Sequence, residues 1–104
     1  MNATGWSCYT CKGQTESDRL ATCIAEAARK YLPNLQLRGD FSDQDIDYEE
    51  SFYILKRTIS PAVLTENGFF TNKEDLAYIE SREGKRAITD LHVEGIIEYL
   101  MTRQ

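Results

Sequence analysis

Histidine occurs once in these 104 residues, at His92, so a site built on two or more imidazoles cannot come from this chain alone. Cysteine occurs three times, at Cys8, Cys11 and Cys23. An odd count leaves at least one thiol unpaired and argues against a secreted disulfide framework. No apolar run approaches the roughly twenty residues that cross a bilayer, and Met1 to Trp6 has neither the basic cluster nor the apolar core of a signal peptide. Cationic excess is also missing: 12 Lys and Arg stand against 17 Asp and Glu. The net charge of -5 argues against nucleic acid and anionic membrane as partners. What is there is ordinary for a globular chain, with 41% hydrophobic and 28% charged residues and a length that allows one domain with a modest core.

Gly5 to Thr10 alternates and carries aromatics, which predicts a strand, closed by a turn at Lys12-Gly13. Cys8-Tyr9-Thr10-Cys11 has the C-x-x-C spacing of zinc and redox sites, but residues three apart in a strand point to opposite faces. Thr15-Glu16-Ser17-Asp18 reads as a capping box. Beyond it Leu20, Cys23, Ile24, Ala27 and Tyr31 recur at helical spacing, and Pro33-Asn34 ends the helix. Cys23 among those positions reads as an inert buried thiol.

A short strand is possible near Leu35 to Arg38, before an acidic loop from Asp40 to Glu50. Asp43-x-Asp45-x-Asp47 fails as a calcium loop, because the sixth position is Tyr48 instead of glycine and the twelfth is Ile54 instead of glutamate. Ser51 to Leu55 is apolar and fits either a strand or a short helix. Ala62 to Thr65, opened by Pro61, predicts a buried strand with Glu66 at its carboxyl end, where α/β sheets gather their chemistry. Asn67-Gly68 supplies a turn, Phe69-Phe70 an apolar plug, and Asn72 a cap for a short helix whose inner face is Leu76 and Ile79.

Gly84 to Met101 is the longest periodic segment. Ile88, Leu91, Gly95 and Tyr99 form a stripe, widened by Val93, Ile96, Ile97 and Leu100 into an arc that implies more than one packing neighbour. His92 lies on that stripe and reads as a histidine packed in or near the core. Strands separated by helices make the fold class α/β, with no internal repeat or linker.

The run from Pro61 to Asn72, together with Ala87-Ile88 and Gly95-Ile96-Ile97-Glu98-Tyr99-Leu100, resembles the C-terminal part of the zinc-dependent N-acetylmuramoyl-L-alanine amidases. Phe52 to Lys56, Leu37-Arg38-Gly39 and Leu20-Ala21 extend the similarity. The resemblance implies residues 1–104 as the C-terminal portion of one mixed-sheet amidase domain with flanking helices. It further implies hydrolysis of the muramyl-L-alanine amide of peptidoglycan, with the stem peptide as substrate, by a parent enzyme of the cell envelope or exported. Glu66 falls on the family's catalytic glutamate, and Arg38 on a weaker substrate-binding position.

The family's zinc is held by two histidines and a glutamate upstream of the matched region, so the resemblance implies a chain truncated before the zinc ligands, binding no zinc and inactive alone. Exposed sheet edge and helix faces would then favour self-association or strand exchange. Two other readings are a non-catalytic cell-wall-binding or regulatory module, and a zinc module built on Cys8, Cys11, Cys23 and His92.

Overall fold

The computed structural model describes residues 4–10, 15–33, 35, 37, 48–49 and 60–102. Three strands form one mixed sheet in the order β2-β1-β3: β1 is Trp6–Thr10, β2 is Tyr48–Glu49 and β3 is Leu64–Asn67. β1 runs parallel to β2, with Tyr9 opposite Tyr48, and antiparallel to β3. Leu37 adds an isolated parallel bridge to Trp6 at the place where a short strand is predicted. The acidic stretch differs from its reading as a loop, because Tyr48-Glu49 pairs with the central strand. Arg38, Cys11, Asp40 to Asp47 and Ser51 to Leu55 lie outside the described residues.

Helices flank the sheet: α1 is Thr15–Tyr31, α2 Lys73–Glu80 and α3 Arg82–Thr102. Glu16 and Asp18 in the first turn of α1, with Arg29 and Lys30 in its last, complement the helix dipole. The Asp18 carboxylate accepts from Thr10 Oγ1 at 2.7 Å and so ties the helix start to the end of β1, while Ser17 Oγ accepts from the Ala62 amide at 3.0 Å.

The inner face of α1 is built mainly from alanine: Ala21, Ala25, Ala27 and Ala28 are buried beside Ile24 and Leu32, and they pack with Trp6, Cys8 and Leu91. Small side chains bring the helix close to its neighbours, and Gly95 of α3 reaches its backbone. Among the described residues Cys8 is the fully buried thiol. Cys23, expected inside, sits partly exposed at the edge of the stripe, where burial first, then Glu26 and Glu98, raises the pKa of its thiol.

Two expectations about inner faces are corrected. Leu76 is exposed, and the buried residue of α2 is Asp75. Gly84, Leu91, Gly95 and Tyr99 are the buried positions of α3, but Val93, Ile96, Ile97 and Leu100 are 43–52% exposed, so the apolar arc is not filled by the described elements. Hydrophobicity on a wheel marks what can be buried, not what is.

Polar contacts close the seam between α1 and α3. Lys30 Nζ lies 2.9 Å and the Tyr31 hydroxyl 3.0 Å from Glu94 Oε1, and the Tyr99 hydroxyl donates to Glu16 Oε2 at 2.7 Å. The Lys30 ammonium, then the Tyr31 hydroxyl, holds the Glu94 carboxyl below its usual range, and Glu94 in return raises both partners.

Candidate active site

The register of β3 against β1 decides where each side chain goes. Trp6 pairs with Asn67, Ser7 with Glu66, Cys8 with Thr65 and Tyr9 with Leu64. Directly opposed residues share a face and successive ones alternate. Trp6, Cys8, Thr65 and Asn67 therefore occupy the face toward α1 and α3, where Cys8 Sγ lies 4.0 Å from the Ala21 carbonyl. Ser7 and Glu66 share the other face.

Glu66 differs in position from its expectation. The strand runs two residues later than Ala62 to Thr65, so Glu66 lies within it and not beyond its end. Because β3 is antiparallel to β1, the rule that chemistry gathers where parallel strands end does not set its location; the pairing with Ser7 does. Ser7 is buried and Glu66 half-buried. The Glu66 carboxylate has no hydrogen bond or ion pair among the described residues. It is an acceptor with open lone pairs, able to take a proton from water and return it.

The turn after Glu66 is firmly fixed. Gly68 has φ of 90°, a conformation suited to glycine, and a β-carbon there would meet Ile79 Cδ1 at 2.7 Å. Asn72 caps α2 as its sequence predicts, with Oδ1 accepting from the amides of Glu74 at 2.9 Å and Asp75 at 3.0 Å. The Asp75 carboxylate does not reach back to that cap. It accepts from Thr4 Oγ1 at 2.6 Å and from the amides of Gly5 and Phe69, each at 3.1 Å. A buried carboxylate with three donors is satisfied, and here it joins the start of β1 to the turn beyond β3.

His92 is half-buried with both ring nitrogens engaged: Nδ1 lies 2.7 Å from the Ile88 carbonyl and Nε2 3.0 Å from Thr65 Oγ1. A carbonyl only accepts, which assigns a proton to Nδ1, and in the neutral ring Nε2 then accepts from the hydroxyl. No group of three or more His, Cys, Asp and Glu among the described residues could hold a metal ion. These residues do not fit a zinc ion, and Glu66 and His92 are on different faces of the sheet. Ser7, Thr65, Asn67 and Asp75 were not singled out by the sequence. Alternation alone could have put Thr65 and Asn67 opposite Glu66 in orientation, but Ser7 needed the register.

Residues 1–98 match the family described as N-acetylmuramoyl-L-alanine amidase. No curated protein sequence is matched by the chain. Among solved structures, it is similar to the N-acetylmuramoyl-L-alanine amidase of Clostridium difficile 630 at a TM-score of 0.86 and 24% identity, covering 99% of this chain and 52% of that one. The CwlD amidase of Clostridioides difficile, in complex with the GerS lipoprotein, gives 0.81 at 22% identity, covering 97% and 48%. The amidase AmiC2 of Nostoc punctiforme gives 0.79 at 23%, covering 94% and 49%. At these identities the structures establish the fold, and the chain spans about half the length of each.

Proposed function

Since the chain belongs to the N-acetylmuramoyl-L-alanine amidase family, we propose that it contributes the proton-transferring carboxylate of a peptidoglycan amidase, with Glu66 acting on the amide between the muramyl group and L-alanine. The single observation that carries this reading is that carboxylate: half-buried on β3, beside Ser7, with none of its lone pairs committed to a described residue. A base in that state can receive a proton from the attacking water and deliver it to the leaving amine. The stem peptide is the proposed substrate, and Arg38 is proposed to meet it.

The family is generally zinc-dependent, and a zinc ion would polarise the carbonyl and acidify water. The described residues do not fit that ion, so the chemistry assigned to this chain is that of Glu66, and residues 1–104 alone are proposed neither to retain zinc nor to cleave the bond. Commitment of both His92 nitrogens favours the second reading, a wall-binding module without hydrolysis. Self-association through the exposed apolar row of α3 belongs to the same proposal.

Carbon-13 NMR of the chain with a soluble muramyl-peptide separates these readings. The substrate is expected to move the Glu66 carboxyl signal, identified by its loss in Glu66→Gln, with no stem peptide released. A substrate that binds while leaving that signal in place makes the chain a binding module. Release of stem peptide by the purified chain with one bound zinc would overturn the assignment of the metal ligands outside it.

A further inference from the structure

The two residues flanking Glu66 are both anchored from the opposite face of the sheet. Trp6 Nε1 donates to Asn67 Oδ1 at 2.7 Å, and Asn67 Nδ2 donates to Thr65 Oγ1 at 3.3 Å. Thr65 Oγ1 meets His92 Nε2 at 3.0 Å, and His92 Nδ1 meets the Ile88 carbonyl at 2.7 Å. The direction of this series is fixed at its ends. An indole N–H can only donate and a carbonyl can only accept, so in the neutral imidazole, with its proton on Nδ1, the hydroxyl donates to Nε2. Aligned bonds of this kind strengthen one another. The first donor, Trp6, is 1% exposed, and Asn67, Thr65 and His92 are half-buried.

β3 is only four residues long. Its backbone is joined to β1, and without further restraint so short a strand could tilt or slip, which would re-aim Glu66. Pinning the residue before and the residue after fixes the peptide planes on both sides, and these set the direction of the Cα–Cβ bond between them. The sole histidine thereby acquires a role that needs neither metal nor substrate.

We propose that Trp6, Asn67, Thr65 and His92 form a hydrogen-bond relay that orients the Glu66 carboxylate, with Thr65 and His92 as positioning residues. The inference rests on the reading of Glu66 as the acid-base group. Its geometry, however, can be tested without catalysis.

The test is the pH titration of the Glu66 carboxyl carbon in the folded 104-residue chain. Thr65→Val deletes the hydroxyl at nearly constant size, and Thr65→Ser keeps it. The valine variant is expected to displace the titration midpoint by a few tenths of a pH unit and to change the carboxyl shift at neutral pH, and the serine variant to restore both. Nitrogen-15 signals of His92 are expected to show protonation at Nδ1 alone. A folded valine variant with an unchanged midpoint would overturn the relay, as would a serine variant that fails to restore it. If the valine variant does not fold, Trp6→Phe cuts the series at its other end and must produce the same kind of displacement. Failure of the functional reading looks different: muramyl-peptide then leaves the Glu66 signal in place, while the displacement by Thr65→Val persists.

Discussion

Gly95 and Ile24 meet backbone to backbone where α3 crosses α1: a β-carbon on Gly95 would stand 2.6 Å from Ile24 Cα and 2.8 Å from its Cγ1. Neither helix can yield without moving main chain. Gly95→Ala gains about 1 kcal/mol of helix propensity, but overpacking costs about 1–3 kcal/mol. The expected outcome is a less stable protein, read as a lower urea midpoint. An increase in stability would mean that the crossing is looser than this contact requires.

Asp75→Asn keeps the size of the buried side chain but removes its charge: an amide oxygen in the place of the oxygen shared by Gly5 and Phe69 still accepts from both, now without charge assistance, and the amide nitrogen must donate to the Thr4 hydroxyl, reversing that bond. Hydrogen bonds to a charged group contribute about 1.5–3 kcal/mol each. A loss of that order in urea unfolding is expected, with the largest amide shifts near Gly5 and Phe69. Asp75→Asn at wild-type stability would show that the carboxylate is not structural.

The Lys30, Tyr31 and Glu94 cluster makes a pH-dependent prediction whose sign follows from the direction of each perturbation. Glu94 is held below the usual carboxylate range, so its contribution to stability is present at neutral pH and is lost as pH falls through that lowered value. Lys30 is held above its usual range, so its part is complete below that range and is lost as pH rises through the higher value. Glu94→Gln should lower the melting temperature at pH 7. The difference from wild type should shrink in acid and in high salt, because the groups are solvent-facing. A difference that grows toward acid would contradict the assignment.

Val93, Ile97 and Leu100 form an apolar row on the solvent face of α3, with Ile97 50% and Leu100 52% exposed. Sedimentation velocity is expected to show concentration-dependent association of the chain, abolished in the double variant Ile97→Lys, Leu100→Lys. Melting temperature should change little, because these side chains contribute little to the core. A monodisperse wild-type monomer at every concentration would remove self-association from the proposal.

Much of this was readable from the residues, for definable reasons. β1, α1 and α3 announce themselves by alternation and by three-to-four spacing, and Asn72 is a cap whose chemistry is local. The run around Glu66 carries the family similarity, and the match over residues 1–98 follows it. What could not be read depends on contacts between distant segments. The two-residue shift of β3 comes from its register with β1, some sixty positions away. Asp75 lies in the first turn of a short helix, and nothing near it in the sequence shows that Gly5 arrives beside it; Leu76 resembles a core residue because the wheel cannot show which side of α2 is covered. His92 looked like a packed histidine, and it is one; its partner Thr65 lies 27 residues earlier on a strand that its own helix cannot specify.

The amides of Gly5 and Phe69 donate to the same oxygen, Asp75 Oδ2. Two protons far apart in the chain thus share one acceptor, and neither can be released to solvent by an opening that moves Asp75 without releasing the other. In native-state hydrogen exchange they should therefore report one common opening free energy, and the first strand and the turn beyond Glu66 would fray together as a single cooperative unit.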